Sequence, residues 1–156
     1  FLFNFLYICR MNMIVNKKAY FEYHIIKDFT AGIQLLGSEV KSLRDNNANI
    51  SDGFCYIWNN EIFVKNLYIA KYKESSYLNH EERRDRKLLI TKKEIRDIIK
   101  LLQDNGTTII PLELFTIKGR FKLKIGVGKG KKLWDKRNSI KEKDIKREIK
   151  RNEVIN

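Results

Sequence analysis

TTIIPLELFTIKGRFKLKIGV, residues 107–127, decides the fold. Its two halves are rich in β-forming residues and meet at Lys118-Gly119, a pair suited to a tight turn. Arg120–Val127 alternates, with Phe121, Leu123, Ile125 and Val127 on one face and Arg120, Lys122 and Lys124 on the other. A period of two with one apolar face predicts a half-buried strand. Thr107–Ile117 contains Pro111, which has no N–H to give to a ladder, so an edge or a bulge is predicted there. Upstream, residues 53–70 read GFCYIW, then Asn59-Asn60, then EIFVKNLYIA. That is a second hairpin, since asparagine tolerates the left-handed conformations of tight turns. Arg86–Ile90 is a short strand, RKLLI. Tyr20–Ile33 mixes aromatic and β-branched residues and reads as a strand interrupted near Asp28.

Two helices are predicted among these strands. Thr91 and Glu94 form a capping box, Ile95, Ile98, Ile99, Leu101 and Leu102 follow at helical spacing, and Asn105-Gly106 ends the element. Gly37–Arg44, GSEVKSLR, is a shorter helix with Ser38 as N-cap and Glu39 in the first turn. Val40 and Leu43 share its buried face, leaving Glu39, Lys41, Ser42 and Arg44 on the more polar sides. Asn16–Ala19 is polar and basic and is predicted on the surface. Lys71–Asp85 lacks apolar periodicity and reads as a long functional loop. The fold class is therefore mainly β with helices: a small closed antiparallel β-barrel of OB type with embedded α-helices.

Charge indicates the partner. The 156 residues carry a formal net charge of +13. A polyanion is the default partner, nucleic acid before an anionic membrane, because the basic tail lacks the Phe/Leu-rich face of a membrane-surface helix. From Gly128 to Asn156 eleven Lys or Arg face five acidic residues. Within this tail Trp134 is a stacking candidate. Gly126, Gly128 and Gly130 fail the phosphate-loop pattern, since Lys132 is followed by Leu133, and are read as a hinge. Ser139 and Glu142 form another capping box, but Ile140, Ile145 and Ile149 make too narrow a stripe to hold a helix on the body. The tail is predicted to be disordered when free and helical on a partner. Three segments follow: 1–12, a translated upstream extension of a start at Met11 or Met13, or a leader remnant; 13–127, the barrel; and 128–156, the tail. Phe1–Ile8 is apolar but too short to span a bilayer.

Candidate reactive groups are few. Cys9 and Cys55 have the spacing of unpaired thiols, and His24 and His80 stand apart from them, so neither zinc nor any other cofactor is predicted. Lacking an acid/base or metal cluster, the chain is not expected to be an enzyme, which disfavours a nuclease. Arg83, Arg84, Arg86 and Lys87 form a cationic cluster, either a solvated run or a phosphate surface.

AGIQLLGSEVKSLR (31–44), the Asn-His loop leading to RDRKLLI (84–90), the capped helix ending in Asn-Gly, IIPLELF (109–115) and GKGKKLWDKR followed by IKEKDIKREIKR together resemble SmpB, the SsrA-binding protein family. The resemblance runs from about Asn16 to Arg151. It implies a cytoplasmic, monomeric, non-catalytic adaptor that binds the tRNA-like part of transfer-messenger RNA and delivers it to stalled ribosomes. It also implies that the tail enters the decoding site and the empty mRNA channel. On this resemblance Asn16, Gly32, Glu39, Lys41, Ser42, Arg44, Asn79, His80, Arg84, Arg86, Lys87 and Leu89 match RNA-binding positions. Gly130, Lys131, Lys132, Trp134, Asp135, Lys136 and Arg137 match the ribosome-binding tail. Departures from the family pattern are Glu81-Glu82 after the loop histidine, Tyr20 and Phe21 where a basic residue is usual, and Trp134 where Tyr or His is usual. The rival is a general ribosomal or single-strand RNA-binding protein of OB type.

Overall fold

The 107–127 stretch forms the longest ladder. In the computed structural model, residues 10–74 and 79–153 are described, apart from the side chains at 10–13, 134, 139 and 152–153. Thr107–Ile117 and Arg120–Gly130 pair from Ile117↔Arg120 out to Thr107↔Lys129. Lys118 (φ 48°) and Gly119 (φ 75°) make the turn. The register slips between Pro111 and Glu113, the predicted bulge.

In chain order the strands are β1 (Arg10–Val15), β2 (Tyr23–Ile33), β3 (Ala48–Asn49), β4 (Phe54–Trp58), β5 (Glu61–Lys65), β6 (Tyr68–Ile69), β7 (Arg86–Leu89), β8 (Thr107–Ile117) and β9 (Arg120–Gly130). The helices are α1 (Lys17–Glu22), α2 (Gly37–Arg44), α3 (Lys92–Leu101) and α4 (Leu133–Glu153). The main sheet runs β1-β8-β4-β5-β7-β2-β9, and β9 pairs with β8 as well as with β2. β3 and β6 form a separate two-stranded ladder. The fold is mainly β with helices. Ile62, Val64, Leu88, Ile109, Leu123 and Ile125 lie at its centre, all almost wholly buried. The second hairpin turns at Asn59 and Asn60, both at positive φ, and α3 begins at the Thr91–Glu94 box.

Several expectations change. β1 starts at Arg10 and pairs Met11 with Thr116, so the ladder takes in residues assigned to the extension. Lys17–Glu22 is a helix, so residues 20–22 are helical rather than the start of the strand. Asn16 caps this helix, accepting the Ala19 N–H at 2.9 Å, and is buried instead of on the surface. Ala19 then packs with Ile110 and Leu112 in a small second core.

β9 does not end in a hinge at Gly126–Gly130. Gly128 pairs with Ile25 and Gly130 with Tyr23. A Cβ on Gly126 would lie 2.7 Å from Leu112 Cδ1, and one on Gly128 would lie 2.9 Å from the His24 carbonyl oxygen. These glycines let neighbouring layers approach.

The tail segment Leu133–Glu153 forms a 21-residue helix. Its Lys, Arg and Glu residues are good helix formers. Asp135 in the first turn and Lys150 and Arg151 in the last suit the helix dipole. Its attachment is slight. Lys131, just before it, donates its N–H to the Glu22 carbonyl at 2.8 Å, and the Lys143 ammonium sits 5.7 Å from the Phe21 ring centre. Ile140, Ile145 and Ile149 remain exposed, in keeping with the narrow stripe.

Candidate nucleic-acid interface

The basic loop before β7 is anchored by a carboxylate. Glu39 lies in the first turn of α2, and its Oε2 accepts the Leu36 N–H at 2.8 Å. Ser38, the expected cap, instead places its hydroxyl 2.9 Å from His80 Nδ1. Glu39 is fully buried. Arg86 Nε donates to its Oε1 at 2.8 Å, and Arg84 donates through Nε to Oε1 and through Nη2 to Oε2, at 2.8 and 2.7 Å. Arg86, also fully buried, sends Nη1 to the Leu67 carbonyl at 2.6 Å and Nη2 to the Glu82 carbonyl at 3.2 Å. A buried charge is tolerable only when paired and hydrogen-bonded, and both are. Burial would push the Glu39 carboxyl up, but hydrogen bonds from Arg84 and Leu36 and the charges of Arg86 and Arg84 together hold it below its ordinary range.

His80 continues this frame. Its Nε2 lies 3.0 Å from the Ile69 carbonyl, which can only accept, so Nε2 carries the hydrogen and Nδ1 accepts from Ser38. Asn79 bonds Tyr72 both ways, accepting its N–H at 3.2 Å and donating to its carbonyl at 3.0 Å. Glu82 contributes through its backbone, accepting from Ile69 N–H and Arg86. Residues 75–78 of the loop lie outside the described residues.

The residues expected at the RNA therefore divide. Asn16, Gly32, Glu39, Ser42, His80 and Arg86 are buried and shape the surface from beneath. Glu39 and Ser42 thus lie off the polar sides of α2 predicted for them. What covers Glu39 comes from a distant segment, Arg84 and Arg86 closing over its carboxylate, which helical spacing does not reveal. Asn16 bridges distant segments, donating to the Pro111 carbonyl at 2.9 Å and the Ile50 carbonyl at 3.3 Å. Gly32 lies under Leu89, whose Cβ would be 3.2 Å from an added Cβ. Lys41, Arg44, Asn79 and Leu89 are exposed, with Arg84 and Lys87 half-buried. The Lys41 ammonium lies over the Tyr72 ring at 5.2 Å, and Lys87 pairs with Glu61.

The cationic cluster is not one phosphate surface. Arg86 faces the interior, Arg84 grips Glu39, and Arg83 stacks 5.6 Å from the Tyr68 ring. On the outward row of β9, Lys124 pairs with Asp28 at 3.2 Å.

In the tail, Gly130 closes β9 and Lys131 is tied to α1 through Glu22 and through Nζ to the Tyr20 carbonyl at 3.3 Å. Lys132 and Arg137 are exposed, while Asp135 and Lys136 are half-buried. The Trp134 side chain, the Ser139 side chain and Cys9 lie outside the described residues. Tyr20, a departure from the family pattern, donates to Glu113 at 2.8 Å; burial and then Glu113 push its phenol up to about 12. The signal for Asn16 was present, since asparagine is a favoured N-cap, but the aromatic residues after it spoke for a strand.

Among the described residues, no group of three or more His, Cys, Asp or Glu is placed to hold a metal, and no helix is long and apolar enough to cross a membrane. Burial pushes the Cys55 thiol well up, away from the reactive thiolate.

A basic β-body followed by a long cationic helix is the architecture of a macromolecule-binding protein. The chain belongs to the SmpB family: the model of that family, described as SmpB protein, matches residues 13–154. The SsrA-binding protein of Flavobacterium johnsoniae is 50% identical over 139 residues, covering 88% of this chain and 92% of that protein. The SsrA-binding protein of Parabacteroides distasonis is 48% identical over 139 residues, covering 88% and 91%. A solved structure described as "tmRNA-SmpB: a journey to the center of the bacterial ribosome" is similar at 36% identity, with a TM-score of 0.67, covering 79% of this chain and 87% of that one.

Proposed function

We propose that this protein binds the tRNA-like domain of transfer-messenger RNA and delivers it to stalled ribosomes for trans-translation, acting in the cytoplasm as a monomeric adaptor without catalysis. The body works as a closed OB-type barrel, consistent with β9 pairing on both sides. The protein has two functional parts, this barrel and the basic tail. Phosphate neutralisation by the body supplies affinity, and the fold of the RNA supplies selectivity. The tail engages the decoding site and mRNA channel.

The observation that supports this reading best is the separation of two basic surfaces. One carries the exposed Lys41 and Arg44 of α2, beside the frame fixed by Glu39, Arg84 and Arg86; the other is the 21-residue helix α4. A carrier that holds one RNA while probing a second site needs that division. Sequencing the RNA that co-purifies with the tagged full chain tests it. One dominant tRNA-like species is expected. A single ribosomal subunit or a mixture of unstructured RNAs would favour a general ribosomal or single-strand-binding protein instead.

A further inference from the structure

β4 turns three aromatic side chains away from the core. Phe54, Tyr56 and Trp58 alternate with the buried Cys55 and the half-buried Ile57, so they share the outer face of the strand. Phe54 is 43% exposed and Trp58 64%. Across the β4–β5 hairpin the three pair with Lys65, Phe63 and Glu61. The Tyr56 and Phe63 rings stack with 5.6 Å between centres, and the Tyr56 hydroxyl donates to Asp85 at 2.9 Å. The middle of the row is thus held in place while both ends stand open.

The row runs into a cleft. On β8, next to β4, Ile110 packs with Ala19 of α1. Between α1 and Phe54 a cavity of about 290 Å³ remains, lined by Tyr23 and Ile110 and by the carboxylates of Glu22 and Asp52. Glu22 makes no ion pair with any described residue. Asp52 faces Lys18 at 3.7 Å, and both side chains are exposed.

Charge identifies the occupant. The charged residues that line the cleft or are paired with the row are Glu22, Asp52, Glu61 and Asp85 against Lys18, Lys65 and Lys87. Acids therefore outnumber bases here, on a chain whose net charge is +13. A phosphate backbone gains nothing from such a face. A guanidinium gains twice, because it stacks on aromatic rings and pairs with a carboxylate through two parallel hydrogen bonds. Alternate side chains on β4 stand about 7 Å apart, the same step as alternate residues of an extended chain laid along the strand.

We propose that the outer face of β4–β5 is a protein-docking surface. It takes an extended, arginine-bearing segment of a partner protein along Phe54, Tyr56 and Trp58, with one guanidinium in the cleft on Glu22 and Asp52. This adds a protein contact to the RNA-binding reading and does not depend on it.

A capped peptide of alternating proline and arginine is the probe, since it is extended and forms neither helix nor strand ladder. Trp134→Phe in the full chain leaves Trp58 as the one tryptophan. The arginine peptide should change Trp58 fluorescence saturably, and an analogue with glutamate in place of arginine should not. Phe54→Ala and Glu22→Gln should each weaken the arginine peptide about threefold. Both substitutions sit at partly exposed side chains, and Glu22→Gln keeps the backbone carbonyl that accepts from Lys131. If neither substitution weakens the peptide, it binds elsewhere and the proposal falls. If single-stranded oligouridylate gives the saturable change and the arginine peptide does not, the face takes nucleic acid and the proposal falls. Sedimentation supplies the remaining arm: self-association that Phe54→Ala abolishes would assign the face to a second copy of this chain instead. The RNA-binding reading is kept apart by filter binding to a transcribed tRNA-like domain of transfer-messenger RNA, where Phe54→Ala should stay within about twofold of wild type. A tenfold loss there would make the face part of the RNA site and overturn the protein partner while the RNA reading stands.

Discussion

Glu39 shows what one carboxylate does in this fold. It accepts from Leu36, Arg84 and Arg86, so α2, β7 and the loop between β6 and β7 all meet at one group. Glu39→Gln leaves Arg86 buried without its counter-charge. Breaking such a pair costs on the order of 3–5 kcal/mol, and urea unfolding at pH 7 should show a loss of that size. The pH dependence follows from the direction of the shift. The folded-state pKa of Glu39 lies below its ordinary 4.5, so its contribution is complete above that value and is lost as pH falls through the folded pKa. Wild-type stability should therefore drop in acid more steeply than that of Glu39→Gln. Parallel acid limbs would show that the carboxylate contributes nothing. The sequence presents Glu39 as an ordinary first-turn acid. Its partners stand 45 and 47 positions away, a proximity that helical spacing does not encode.

Elements with strong local signals were legible. The β8–β9 turn, the bulge at Pro111, the Asn59-Asn60 turn and the Thr91 capping box rest on neighbouring residues, and the structure has each where periodicity and turn chemistry predict it. Elements fixed by distant packing were not. α1 hides behind aromatic residues that favour strands, and the glycines near the end of β9 resemble a hinge because their neighbours across the sheet are remote in sequence. This last point is measurable. In Gly126→Ala the new methyl would press on Leu112, which is nearly fully buried with Ala19 and Ile110 and has little room to yield. Overpacking of this kind costs about 1–3 kcal/mol. Gly130→Ala meets nothing within 4 Å and should lie within about 0.5 kcal/mol of wild type. A flexible hinge would tolerate both, so equal unfolding midpoints for the two variants would restore the hinge.

At the scale of the whole molecule the body and α4 depend on each other very little. The body closes its own core, and among the described residues the contacts of the tail with it include Lys143 on Phe21 and the Lys131 anchor just before α4. A helix attached this way gains little from tertiary burial, so its removal should barely disturb what it leaves behind. Truncation after Lys132 keeps the Lys131 bond to Glu22 and is expected to cost the body less than about 1 kcal/mol. Affinity for the tRNA-like RNA should stay within about twofold, because cations on a separate surface contribute mainly where that surface is engaged. Tagging of stalled chains in a purified translation system should be lost. Lys132→Ala with Arg137→Ala probes the same separation more gently, both side chains being exposed while Lys131 is left to hold the joint. That variant should bind RNA nearly as wild type does and tag poorly. If truncation instead abolishes solution RNA binding, α4 belongs to the RNA site of the body, and the slight contacts at Phe21 mark one edge of a continuous surface.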